Sequence, residues 1–371
     1  MAGYRFPIIR PTIPDVEELA ADFREILAGG VITNGPRVAE LEKRAAERLG
    51  AADCVAVSSC TSGLILSARV LGLAGEVVLP AFTFAATAHA LVWAGLTPVF
   101  CDSLPGTLNI DPRSAEGLIT ERTSAIVPVY TFGLPPDLDP LLELAGRRGL
   151  RVLCDAAQAL GAAYRGRPAG SFGDAEVFSL SPTKVVTAVE GGLVAVREAE
   201  TARRLRSARD YGKAADGQDM ESVGLSARMS ELHAAVGLRC LARCEEFTAA
   251  RRRLVELYTR ALAGLAGVSF QELPGDRTSS CNYMVILLGE GARLGRDALA
   301  AELAARGIQT KKYFHPAAHQ MTAYRELGAR FRGKLPVAER ASSQGLALPL
   351  YSHMSAADLE AIAGEIRGLL G

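Results

Sequence analysis

One lysine in the segment FSLSPTKVVTAVEGG (178–192) stands apart from other charges, since the neighbours of Lys184 are small or apolar for several residues on either side. An amine drawn out of water gives up its proton more easily, and the neutral form is a nucleophile that forms a Schiff base with an aldehyde. Asp155, in LCDAAQALGA (153–162), ends an apolar run, so its carboxylate needs a buried partner or a ligand, and Gln158 follows one turn later. SSCTSG (58–63) runs from an apolar stretch into a helical one, and the free amides there with the hydroxyls of Thr61 and Ser62 suit a phosphate. PAFTFAAT (80–87) supplies Phe82 and Phe84, and Ser179 and Ser181 precede the lysine.

Each feature also has a plain structural reading. Hydroxyls and carboxylates cap helices, and aromatics fill cores. Their chemistry, however, is complementary. A nucleophilic amine, an acid for a pyridine nitrogen, a phosphate cradle and a ring-stacking aromatic are together what pyridoxal 5′-phosphate (PLP) requires.

The elements that must hold these residues are short apolar runs at 54–59, 76–81, 97–102, 124–130, 151–157, 175–181 and 191–196, most of them separated by helical patterns such as 62–73, 87–96 and 138–150. Strands apolar on both faces and alternating with helices predict an α/β fold with a mostly parallel seven-stranded sheet covered on both sides. The last two runs lack a helix between them, so one is expected to run antiparallel. In such sheets ligands bind beyond the carboxyl ends of the strands, where all four features fall. From about Arg228 a helical pattern extends through 229–265 as one long helix, followed by a strand at 282–289, a helix at 296–308 and another near the C-terminus. The reading is a large α/β domain (1–245) and a smaller C-terminal α+β domain (246–371).

The 371 residues carry 41 Lys+Arg against 41 Asp+Glu, a balance that gives no electrostatic footprint for nucleic acid or an anionic membrane. The N-terminal stretch lacks a signal-peptide core and no run is long enough to span a bilayer. The seven cysteines are scattered without a CxxC, which reads as reduced thiols, a cytoplasmic location and no metal site.

SSCTSG, PAFTFAATA, CDAAQALGA, GDAEVFSLSPTKVVTAVEGG and RMSELHAAVGL occur in this order, with GGVITNGPRVAELEKRAAERLGA at 29–51 and KKYFHPAAHQM at 311–321. Over nearly its full length the chain resembles the DegT/StrS family of PLP-dependent sugar aminotransferases, which have the PLP-dependent transferase fold type I (aspartate-aminotransferase fold). The resemblance implies that Lys184 forms the Schiff base and shuttles the proton, Asp155 pairs with the pyridinium nitrogen and Gln158 sits near the ring hydroxyl. It gives the phosphate to Thr61, Ser62 and Ser179, and the ring face to Phe84. It further implies a homodimer with shared active sites, in which Ser226 reaches the partner's phosphate and Arg228 lies where the partner approaches, while Tyr130, Tyr313 and His319 line the sugar side. The expected substrates are an amino-acid donor, glutamate first, and a keto-sugar acceptor carried on a nucleoside diphosphate.

The sequence departs from the family pattern at two places: Ser226 stands where the family has Asn, and Tyr130 in PVYTFG where it often has His. Alternatives on the same scaffold are dehydration, which one branch performs with His in place of the lysine, transamination of a cyclitol or other small ketone, and a non-catalytic PLP-binding regulator. An ordinary α-amino-acid aminotransferase would need an arginine clamp for the substrate carboxylate, for which Arg325, Arg330, Arg332, Arg340 and Arg367 are available.

Overall fold

The computed structural model describes residues 3–371. Its main sheet holds β1 (Asp53–Val57), β2 (Glu76–Pro80), β3 (Thr97–Cys101), β4 (Thr123–Ile126), β5 (Arg151–Asp155), β8 (Ala175–Ser179) and β9 (Gly192–Val196), in the order β1-β9-β8-β5-β4-β2-β3. The strands run parallel except β9, which is antiparallel to both β1 and β8. The expected reversal therefore falls on the strand reached without a crossover helix. A hairpin of β6 (Ala163–Tyr164) and β7 (Arg167–Pro168) is extended by β11 (Arg277–Thr278), and β10 (Val268–Phe270), β12 (Met284–Leu288) and β13 (Gly345–Leu348) form an antiparallel sheet in the C-terminal part.

Two apolar cores organise the chain. One lies around the main sheet; the other joins Leu254, Tyr258 and Leu262 to β12, β13 and the C-terminal helix Ala356–Leu370. The single long helix expected over 229–265 is two helices, Glu231–Ala242 and Cys244–Leu262, separated at Arg243 (φ −101°, ψ 11°). The break lets Cys244 and Phe247 pack on the large core while the later turns serve the small one. The chain also crosses between the cores elsewhere, since Phe6 joins the small core and residues such as Tyr313, Phe314, Phe331 and Ala341 return to the large one.

Two of the sequence motifs meet in a structural role. The carboxylate of Glu231, 1 % exposed, accepts from the amides of Gly35, Arg37 and Val38. It thereby caps the helix Pro36–Leu49, whose own N-cap, Gly35, has no side chain to do so.

Candidate active site

The carboxyl ends of β1, β2, β5 and β8, with the turn after β4, enclose a cavity of about 300 Å³. Asp155 forms its floor. The residue is 4 % exposed, with one carboxylate oxygen accepting from Thr87 Oγ1 at 2.7 Å and the other from the Ala157 amide at 3.1 Å. Burial pushes its pKa up, against the pull of these two donors and of Lys184. A buried carboxylate in that position is electrostatically short of a cation, and a protonated ring nitrogen would supply one. Gln158, also lining the cavity, keeps a buried Oε1 with no hydrogen-bond partner, a polar atom that a bound ligand would satisfy.

Lys184 follows β8 in a turn held by its own amide donating to Ser181 O at 3.0 Å. Its Nζ lies 5.7 Å from the centre of the Tyr283 ring. Ser59, Thr61, Ser179, Ser181 and Thr183 bring hydroxyls to the same wall. The glycine pair that ends the lysine segment serves this wall. Gly191 has φ +156°, and a Cβ on Gly192 would stand 2.7 Å from the Cys60 amide, so only glycine lets β9 start so close to the hydroxyl turn. Phe84 caps the cavity from outside, 55 % exposed at the N-terminus of the helix Ala85–Trp93. Phe82, by contrast, is fully buried against Phe132 and Phe314, which is the core role.

The structure brings Lys184, Asp155, Gln158, Ser179, Thr61, Phe84 and Tyr313 to one cavity. Five expected residues stand differently. Ser62 is absent from the wall; its hydroxyl accepts from the Ser59 amide at 3.1 Å and donates to Ser59 O at 2.8 Å in a capping box, and Ser59 takes its place. Tyr130 meets the wall, but it has no exposed surface and its hydroxyl turns away to donate to Glu176 at 2.5 Å. The hydroxyl proton is thus engaged by Glu176, while the residue itself stays in the cavity lining. His319 does not line the cavity. Its ring is fully buried, with Nε2 3.0 Å from Glu339 and Phe100 alongside, because the short helix that carries it packs inside the large core. Ser226 and Arg228 lie outside the protomer's own cavity, and Arg228 pairs with Asp210 at 2.9 Å.

The residues that sequence reasoning missed are Ser59, Thr83, Thr183, Glu190, Tyr283 and Phe314, together with Thr87 behind Asp155. The cavity lining contains no arginine, and its cations are Lys184 and Lys311; Arg325, Arg330, Arg332, Arg340 and Arg367 all lie elsewhere. A larger cavity, about 600 Å³, lies on the far side of Tyr283 and Phe132 and is lined by Arg252, Glu256 and Gln271, but it holds none of Lys184, Asp155 or Gln158. Chemistry rather than volume assigns the site. Among the described residues no group of His, Cys, Asp and Glu is arranged to hold a metal ion, and all seven cysteines are buried and unpaired.

Known proteins resemble the chain over nearly its whole length. The chain is 35% identical over 340 residues to a GDP-perosamine synthase of Caulobacter vibrioides, with 91% of each covered. The solved structure of DesI in the presence of its TDP-sugar product superposes with a TM-score of 0.92 at 38% identity, covering 99% of this chain and 94% of that one. The PLP-form of the putative sugar aminotransferase Spr1654 from Streptococcus pneumoniae gives a TM-score of 0.89 at 26% identity, covering 98% and 100%. The model of the DegT/DnrJ/EryC1/StrS aminotransferase family matches residues 14–367, and the chain belongs to that family.

Proposed function

We infer that this protein is a PLP-dependent aminotransferase that moves an amino group from an amino acid to a keto-sugar. The observation that carries the reading is the meeting, in one cavity, of Lys184, the buried Asp155 carboxylate and the unpartnered Gln158 Oε1. The residues present fit the cofactor. Asp155 would hold the ring nitrogen and Gln158 the ring hydroxyl. Ser59, Thr61 and Ser179 would take the phosphate, with the amides that open the helix Cys60–Val70, and Phe84 would lie over the ring. Bound there, PLP supplies the electron sink that lets a proton leave the substrate carbon.

The chain's own part is to position and to move that proton. Lys184 Nζ takes it from one carbon and returns it to another, first in the half-reaction with the donor and then with the acceptor. The two substrates use the site in turn, so the kinetics are ping-pong. Hydrogen bonds from Thr87 and the Ala157 amide favour the ionised form of Asp155 against the effect of burial. With no arginine in the lining, the protomer offers no bidentate clamp for an α-carboxylate acceptor. Lys311 is the cation on the acceptor side, whereas Lys312 is tied to Asp297 at 2.8 Å. These features favour a keto-sugar over an α-keto acid as acceptor, and a nucleotide-linked keto-deoxysugar with glutamate as donor is the pair proposed.

The working unit is proposed to be a homodimer. Val31, Ile32, Tyr211, Met220, Val223 and Leu225 are exposed apolar residues, and the segments that carry them are tied by the Thr33–Ser230 and Asp210–Ser226 bridges. An apolar surface of this kind seeks a cover, and a second copy placed there brings Ser226 and Arg228 towards its partner. Among the described residues no helix is long and apolar enough to cross a membrane, and a cytoplasmic location is part of the proposal.

Incubation with glutamate and a panel of nucleotide-linked keto-deoxysugars tests the reading. The expected product is the amino-sugar nucleotide together with 2-oxoglutarate. A product that has lost water and gained no nitrogen would replace transamination with dehydration.

A further inference from the structure

Tyr283 enters the catalytic cavity from the small domain, at the residue before β12. Its position is fixed to the lysine turn. The neighbouring Asn282 accepts from the Val185 amide through Oδ1 at 3.1 Å, its own amide donates to Phe132 O at 3.1 Å, and its carbonyl accepts from the buried Arg251 at 3.0 Å. The ring faces Lys184 Nζ at 5.7 Å and lies 4.6 Å, centre to centre, from the ring of Tyr313. Lys311 Nζ in turn sits 5.1 Å from the Tyr313 ring. Two adjoining phenols thus lie between two amines along one wall of the cavity.

We propose that Tyr283 is a positioning residue for Lys184: its phenol and ring face stabilise the amine while the amine carries the reaction's proton, and Tyr313 holds that phenol in place. The proposal rests on the aminotransferase reading, because it assigns a role to the lysine that moves the proton. Several charged and titratable groups face Tyr283. Lys184 comes from the turn after β8, Lys311 and Tyr313 from the 311–321 segment, and Arg251 from the helix Cys244–Leu262. Asp155 lies across the cavity. Burial alone would raise the phenol's pKa, but the Lys184 charge, the Thr183 and Tyr313 hydroxyls and Lys311 outweigh it and bring it below the ordinary tyrosine value. Burial pushes the Tyr313 phenol the other way, which favours its protonated form. With the Lys184 amine over its ring face, the Tyr283 ring is placed to stabilise the positive charge on that amine.

The test begins with the apoprotein. Tyrosinate absorbance is titrated in wild type, Tyr283→Phe and Lys184→Met. The expected result is one phenol ionising before the others in wild type, missing in Tyr283→Phe and moved to higher pH in Lys184→Met. The loaded enzyme is then followed through the donor half-reaction alone. Tyr283→Phe should lower its rate constant about 10²-fold with donor affinity nearly unchanged, and should shift the pH profile. Two results would overturn the proposal: superimposable phenol titrations in wild type and Tyr283→Phe, or a variant whose donor affinity falls while the rate constant holds. Neither readout uses a sugar, so failure of the keto-sugar assignment would leave this outcome legible on its own.

Discussion

Two buried carboxylates lie on neighbouring strands of the main sheet and do opposite work. Asp155 ends β5, and Glu176 sits on β8, which pairs with β5 so that Asp155 stands beside Val177 and Cys154 beside Glu176. Side chains alternate across a sheet, so the two acids face different sides. Burial is the largest influence on both and raises both pKa values, that of Glu176 to about 7. Asp155 opens to the cavity and keeps a face for a ligand. Glu176 is enclosed by the Tyr130 hydroxyl and the amides of Gly170 and Phe172. A buried acid is therefore a site only where its surroundings leave something unmet; where they satisfy it, it is architecture.

Substitutions can break this contrast, and the largest effect is expected at Asp155. Asp155→Asn should lower kcat by about 10²–10³-fold, because the charge proposed to hold the ring nitrogen protonated is lost. The melting temperature should change little, and a stopped-flow half-reaction beside a thermal melt would separate the two readouts. At Glu176 the expected effect is on stability. Its folded pKa, about 7, exceeds the ordinary 4.5, so its contribution is fully present below the ordinary value and is lost as pH rises through 7. The loss amounts to about 3 kcal/mol across that window. Glu176→Gln should flatten this slope and leave kcat unchanged, as read by denaturant melts at several pH values.

A finer test lies in the partners of the two acids. Thr87→Val removes a hydrogen bond to a charged group, worth about 1.5–3 kcal/mol to the ionised form of Asp155. The Asp155 pKa should rise further and the acid limb of the pH–rate profile should move up by about one to two units. Tyr130→Phe deletes the matching donor to Glu176. It should cost about 1–3 kcal/mol of stability and leave KM for the acceptor within about twofold. Tyr130→His should likewise leave acceptor preference unaltered; a changed preference would return Tyr130 to the substrate side.

Much of this was legible in the sequence. Apolar runs ending in Asp155, Ser179 and the SSCTSG turn reported strand ends, and strand ends in such a sheet converge. Lys184 announced itself by the absence of other charges near it. The remainder depends on distances that no local pattern encodes. Whether Ser59 or Ser62 faces the cavity is a matter of helix phase and of a capping box. His319 and Tyr130 carry polar groups that read as functional, but tertiary packing turned both onto acids, the half-buried Glu339 and the buried Glu176. Tyr283 lies in a run that reads only as a strand, and its place beside Lys184 comes from the fold of the second core over the first. The break at Arg243 was hidden because helical periodicity continues on both sides of it.

The central claim is that Lys184 carries the chemistry at the carboxyl edge of the sheet. The most direct test is the visible absorption spectrum of the PLP-loaded protein, before and after glutamate, beside Lys184→Ala. The account predicts a band from lysine-bound cofactor that glutamate removes as the cofactor takes up the amine, and no such band from lysine in the variant. A wild-type protein with no band in the presence of added PLP, or a variant that reproduces the wild-type band and its response, would contradict it.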